Sequence, residues 1–132
     1  MNFKGYISSR PLSDGILIDQ KIQNIIIRDS CKKKNINFLL SATEYGMKNC
    51  FLILNDLFKD LRNNKYDGIA FFSIDQLPEK KIVREKLYKF LIKEKYLFFS
   101  REDILLCNKK DIDILEELIK IKNLLKYCPT KL

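Results

Sequence analysis

The sequence predicts one α/β domain over residues 1–132: an open, mainly parallel sheet of four or five strands with helices on both faces. Three observations predict it. Short apolar runs alternate with longer segments whose apolar residues recur at helical spacing, the pattern of successive βαβ units with right-handed crossovers. The runs are apolar at consecutive positions, as expected of strands covered on both sides. Polar residues follow every run, and an open sheet of this kind binds ligands outside the carboxyl ends of its strands.

Phe3 to Ile7 reads as the first strand, short, aromatic and β-branched, ended by Ser8-Ser9-Arg10-Pro11 and an Asp14-Gly15 turn signal. Asp19 opens a helix to about Lys34, with Ile22, Ile25 and Ile26 as its apolar face. Ile36 to Ala42 is the second strand. Asn49 is placed to cap a helix from Cys50 to about Arg62, in which Phe51, Leu54, Leu57, Phe58 and Leu61 keep helical spacing. Ile69 to Ser73 is the third strand, behind Tyr66-Asp67-Gly68. After Pro78 a helix from Lys80 to Lys95 turns Val83, Leu87, Phe90 and Leu91 inward. Tyr96 to Phe99 is the fourth strand and Asp103 to Cys107 a short fifth. Asp111 to Tyr127 forms the last helix, and Pro129 ends it. Its stripe Ile114, Leu118, Ile121 and Leu125 can serve the core or a partner, and a homodimer through it is expected. The expected strand order is flavodoxin-like, with the first strand central.

Composition narrows the setting. A chain of 132 residues that is 46% hydrophobic buries a real core. Met1 to Tyr6 lacks the charged and apolar regions of a signal peptide. The apolar runs reach about five residues, against the roughly 20 of a membrane span. The expectation is a cytoplasmic protein with no membrane partner. Cys31, Cys50, Cys107 and Cys128 form no CxxC pair and the chain has no histidine, so no metal site, disulfide or cofactor is expected. Without histidine, acid–base work falls to Glu, Asp, Tyr, Cys or Lys. The net charge of +8 has two readings. It can attract phosphate, in a nucleic acid or a nucleotide sugar. It can also be compositional, because the lysines are scattered and the one run, Lys32-Lys33-Lys34, sits at a predicted helix end where cations suit the dipole.

Four strand-end loops bring polar residues together: Ser8, Ser9 and Arg10; Ser41, Thr43, Glu44 and Tyr45; Ser73, Asp75 and Gln76; Ser100, Arg101 and Glu102. Glu44 and Tyr45 can act as a proton-transfer pair or bind sugar hydroxyls; the alternative is an ordinary strand-to-helix loop. Cys50 falls at a predicted helix start, where the dipole lowers a thiol pKa, though a free cysteine is more often a small buried hydrophobe. Arg10 can hold a carboxylate or phosphate. Gln20, Gln23, Asn24 and Arg28 lie along the first helix, within reach of a ligand at the strand ends. Glu44, Tyr45 and Cys50 are thus the candidate catalytic groups. Ser8, Ser9, Arg10, Gln20, Gln23, Asn24, Arg28, Ser41, Thr43 and Ser73 are the candidate binding groups, with Arg10 and Glu44 expected to face one cavity.

Gly5-Tyr6-Ile7-Ser8-Ser9-Arg10-Pro11, Gln20-Lys21-Ile22-Gln23-Asn24 with Arg28-Asp29, Leu40-Ser41-Ala42-Thr43-Glu44-Tyr45-Gly46-Met47 and Asp67-Gly68-Ile69 resemble the sporadic carbohydrate cluster proteins over about residues 5 to 80. That resemblance implies bacterial surface-polysaccharide biosynthesis: a sugar or nucleotide-sugar ligand, other enzymes of the same pathway as partners, and no defined reaction. More distantly, the Gly-Tyr strand, polar loop and helix-borne glutamines resemble the catalytic domain of serine recombinases (resolvases). Here the family's nucleophile position, four residues after the tyrosine, holds Arg10, and an arginine position holds Ser8. The Asp-Arg-Leu-x-Arg motif reads Asp75-Gln76-Leu77-Pro78-Glu79. Strand transfer needs a serine nucleophile and arginines on the scissile phosphate. This resemblance therefore implies a fold and no recombination, with no specific nucleic-acid partner.

Overall fold

The computed structural model describes residues 1–12, 16–45, 51–91, 94–107 and 109–127, with side chains at all of these except 109 and 125–127. Five strands form one sheet: β1 (Asn2–Ser8), β2 (Asn37–Glu44), β3 (Gly68–Phe71), β4 (Tyr96–Phe99) and β5 (Ile104–Cys107), in the order β2-β1-β3-β4-β5. β1 to β4 are mutually parallel, as predicted. β5 runs antiparallel to β4 because residues 100–103 leave no room for a crossover. The chain reverses there through Asp103, at φ 54°, whose N–H donates to the Ser100 carbonyl at 3.2 Å.

Helix α1 (Gln20–Lys33) covers one face of the sheet; α2 (Leu52–Arg62), α3 (Lys81–Tyr88) and α4 (Ile112–Tyr127) cover the other. Under α1, Phe3, Ile27, Cys31, Ala70 and Phe98 are fully buried. Opposite them, Tyr6, Leu54, Phe58, Leu61, Phe71, Phe99 and Leu115 are fully buried, with the Phe71 and Phe99 rings stacked at 5.0 Å. No helix among the described residues is long and apolar enough to cross a membrane.

Local chemistry sets the helix ends. The Asp19 carboxylate accepts from Lys21 N at 2.7 Å and caps α1. At the other end, Asn35 N donates to Lys32 O and Ile36 N to Cys31 O, with Asn35 at φ 57°. Asn64, at φ 62°, repeats this for α2, its N–H on Leu61 O and that of Lys65 on Asp60 O. Both are Schellman endings in which asparagine takes the left-handed position usually held by glycine.

Three helices depart from their predicted packing. In α1 the buried stripe is Gln23, Ile27 and Cys31, while Ile22, Ile25 and Ile26 face solvent. Counting apolar residues favours the isoleucines; satisfying the backbone past the end of β1 favours Gln23, and the backbone wins. Helix α3 stops at Tyr88, not Lys95, because the N–H groups of Phe90 and Leu91 turn onto Leu87 O and Tyr88 O, dropping Leu91 into the core. In α4 the core takes Leu115, with Ile112, Leu118 and Ile119 partly buried, and Ile114 and Ile121 point outward. The predicted Asn49 cap and Cys50 start of α2 lie outside the described residues.

One irregularity positions the site. Phe3 pairs with Phe38 and Gly5 with Ser41, so Leu39 and Leu40 together lie opposite Lys4 in a β-bulge. The bulge resets the alternation of β2. Phe38 and Ser41 both face α1, crowding the space where a Cβ at Gly5 would stand 2.8 Å from the Phe38 ring. Glu44 consequently faces α2, beside Tyr6.

Candidate functional site

On the α1 side, a groove of about 290 Å³ lies between the helix and the bulged strand. Gln20, Lys21, Asn24 and Arg28 form its helix wall; Leu40, Ser41 and Ile7 form its sheet wall. Helical spacing places the four α1 residues on neighbouring positions of one flank, and the bulge brings Ser41 up to meet them. Ser41 Oγ donates to Asn24 Oδ1 at 2.6 Å, tying the walls together. Arg28 lies with its guanidinium 5.9 Å from the centroid of the Phe38 ring. The groove offers two cations, amide and hydroxyl groups and a small apolar patch, which suits a polar ligand that carries negative charge.

The other candidate residues fall elsewhere. Gln23 is buried and fully engaged: its Nε2 donates to Ser8 O at 2.7 Å and Ile18 O at 2.8 Å, and its Oε1 accepts from Ser8 N at 3.1 Å and Gln76 Nε2 at 2.8 Å. Gln76 in turn accepts from Phe72 N at 2.9 Å. Two side-chain amides therefore satisfy the backbone where β1 and β3 end, which rigidifies the sheet's carboxyl edge. Ser8 Oγ accepts from Arg10 N at 3.0 Å.

Arg10 and Glu44 meet on the α2 side through a third residue. Arg10 Nη2 donates to the Tyr6 hydroxyl at 2.6 Å, and that hydroxyl donates to Glu44 Oε1 at 2.7 Å. The guanidinium also lies 4.1 Å from the centroid of Phe51. The N–H groups of Ile53 and Leu54 donate to Glu44 at 2.9 and 3.4 Å. Phe51, at the N-cap of α2, supplies no side-chain cap, and Glu44 reaches across from β2 to take that role at the positive end of the helix. Burial drives the Tyr6 phenol far above the usual tyrosine range, the Arg10 charge opposes this, and the Glu44 hydrogen bond adds to it. Tyr6 is therefore a neutral bridge at every ordinary pH. Tyr45, next along the chain, is 74% exposed, and Thr43 is half-buried. The Ser9 N–H donates to the Glu44 carbonyl at 3.1 Å. Cys50 lies outside the described residues.

Ser73 belongs to a third cluster. Fully buried, it donates to Glu102 Oε2 at 2.8 Å, and its oxygen accepts from Asp75 N at 3.2 Å. Lys122 of α4 sits 3.0 Å from Asp75 and 3.2 Å from Glu102. This lysine, 49 positions beyond Ser73, was invisible to sequence reasoning. So was the pairing of Arg84 with Glu116, two parallel hydrogen bonds of 2.9 Å joining α3 to α4. Arg84 Nη1 donates to the carbonyls of Pro78 and Glu79, at 3.0 and 2.6 Å. Among the described residues, no group of three or more Cys, Asp or Glu is placed to hold a metal ion.

Two solved structures share this architecture. A resolvase family site-specific recombinase from Streptococcus pneumoniae superposes with a TM-score of 0.60 over 92% of this chain and 88% of that one, at 11% identity. The N-terminal catalytic domain of TP901-1 integrase superposes with a TM-score of 0.56 over 94% of this chain and 99% of that one, at 16% identity. The likeness is one of fold. No protein-family model and no curated protein matches the chain.

Proposed function

We propose that this protein is a small cytoplasmic component of bacterial surface-carbohydrate biosynthesis, an enzyme or accessory subunit acting on an activated sugar or sugar acid. The single observation that supports this reading best is the groove between α1 and β2, where Lys21 and Arg28 stand beside Gln20, Asn24 and Ser41. The cations match a phosphate or carboxylate, the amides and hydroxyl match sugar hydroxyls, and Ile7 and Leu40 offer an apolar floor. The resemblance of the strand-end segments to sporadic carbohydrate cluster proteins supports the same setting. Under this reading Gln20, Asn24, Arg28 and Ser41 contact the ligand, and Gln23 and Ser8 hold the frame. Glu44 and Arg10 act from the opposite face of the sheet, by fixing the start of α2.

A thermal-shift titration with uridine diphosphate sugars and free sugar acids tests the proposal. A ligand that binds the native state raises Tm. Arg28→Ala and Ser41→Ala should abolish that rise while leaving the unliganded Tm nearly unchanged. A ligand-induced shift that survives both substitutions would move the site elsewhere. The second reading is a non-catalytic binding module, for a protein or nucleic acid; the fold shared with the two recombinase structures favours it. It expects duplex DNA or a pathway enzyme, and no sugar, to raise Tm.

A further inference from the structure

We propose that α1 docks this protein on an anionic lipid surface. The proposal rests on the outward face of the helix, on isoleucines that do not line the ligand groove. Ile22, Ile25 and Ile26 are 50%, 64% and 37% exposed, and their i, i+3, i+4 spacing makes one stripe. Ile16 and Leu17, at the entry to the helix, are 53% and 63% exposed. Asp29 extends the stripe, and its carboxylate is ion-paired with Lys33 at 3.2 Å. Lys21, Arg28 and Lys32 are exposed around it. Lys21, Arg28, Lys32 and Lys33 thus stand against Asp29 within α1, on a chain of net charge +8. An aliphatic stripe bordered by cations is the arrangement of a helix lying in the headgroup region of a bilayer.

Charge decides between occupants. A second copy would bring an equally cationic helix against the first, and the like charges oppose that pairing. An acidic protein would satisfy the charge, but a stable protein interface takes about 800 Å² from each side. A 14-residue helix is only about 21 Å long, and its convex face alone presents far less than that. A lipid surface demands no shape complementarity: the isoleucines enter the acyl boundary and the cations meet phosphate headgroups, each worth roughly a fivefold change in partitioning.

Flotation with vesicles of phosphatidylglycerol and phosphatidylcholine, compared with phosphatidylcholine alone, tests this. The protein should float with the anionic vesicles, and raised salt should release it. Ile22→Ser/Ile25→Ser and, separately, Lys32→Gln/Lys33→Gln should each weaken partitioning by about tenfold or more. Both variants should keep the wild-type Tm, because these side chains face solvent. Failure to float with anionic vesicles would overturn the proposal, as would flotation undiminished in both variants. A dimer in sedimentation that Ile22→Ser/Ile25→Ser dissolves would assign the face to a second copy. Isoleucine-dependent binding to polyglutamate without flotation would assign it to an acidic protein.

Discussion

Both oxygens of Glu44 are occupied by this chain's own groups, the Tyr6 hydroxyl and the N–H groups of Ile53 and Leu54. A residue that looks like a strand-end catalytic acid in the sequence is, in the fold, the remote cap of α2. Glu44→Gln keeps the shape but loses charge-assisted bonds to a helix start, so it should cost about 2 kcal/mol, or roughly 5–10 °C in Tm. Thermal unfolding followed by circular dichroism checks this. A Tm unchanged within error, with ligand binding lost, would return Glu44 to a catalytic or binding role. The sequence shows which residues are polar at the strand ends; it does not show which face each takes. For Glu44 that face depends on the bulge opposite Lys4, and nothing in Phe38-Leu39-Leu40-Ser41 marks a bulge. Asp19, by contrast, caps the helix it precedes and was legible, because capping is local in sequence.

Elements were legible where their signals are local and illegible where partners are distant. Apolar runs and helical spacing give five strands and four helices, with α3 ending at Tyr88 and not at Lys95, while the stripe that α1 buries was set by Gln23 and its bonds to the Ser8 backbone. The α3–α4 junction is likewise long-range, with Glu116 held by Arg84 and Tyr88 at 2.6–2.9 Å. Burial would raise the Glu116 pKa, but the hydrogen bonds from Arg84 and Tyr88 and the charges of Arg84 and Lys81 outweigh it, leaving it below the usual carboxylate range. A carboxylate whose folded pKa is depressed contributes stability that is present above its unfolded value, near pH 4.3, and lost as pH falls through the lower folded value. Acidification below about pH 4.5 should therefore loosen α4 first. Native-state hydrogen exchange should show α4 amides losing protection before those of β1 and β3. In Glu116→Gln that acid-dependent step should vanish, at the expense of lower stability at neutral pH. Retention of the step in the variant would place the responsible carboxylate elsewhere.

At the scale of the molecule, the open α/β sheet was legible because strands buried on both faces advertise themselves as apolar runs, and the fold matches that of two recombinase catalytic domains. Fold alone carries no reaction. Several of this chain's cations are answered internally: Lys33 by Asp29, Lys34 by Asp103, Lys65 by Asp60, Arg84 by Glu116, and Lys122 by Asp75 and Glu102. By the sequence resemblance to serine recombinases, the nucleophile position would fall on Arg10, whose guanidinium is bound to Tyr6. In place of the arginines of the Asp-Arg-Leu-x-Arg motif stand Gln76, committed to Phe72 and Gln23, and Glu79. What remains is net charge, which binds duplex DNA without sequence preference and releases it with salt, at a log–log slope of about −0.9 per phosphate contacted. Fluorescence anisotropy with a random duplex should therefore give a Kd of about 10⁻⁵ M or weaker at physiological salt, weakening steeply as salt rises. A supercoiled plasmid should stay uncut throughout. Salt-resistant, sequence-selective binding, or a protein-linked nick, would mean that the recombinase chemistry persists on residues other than those at its usual positions.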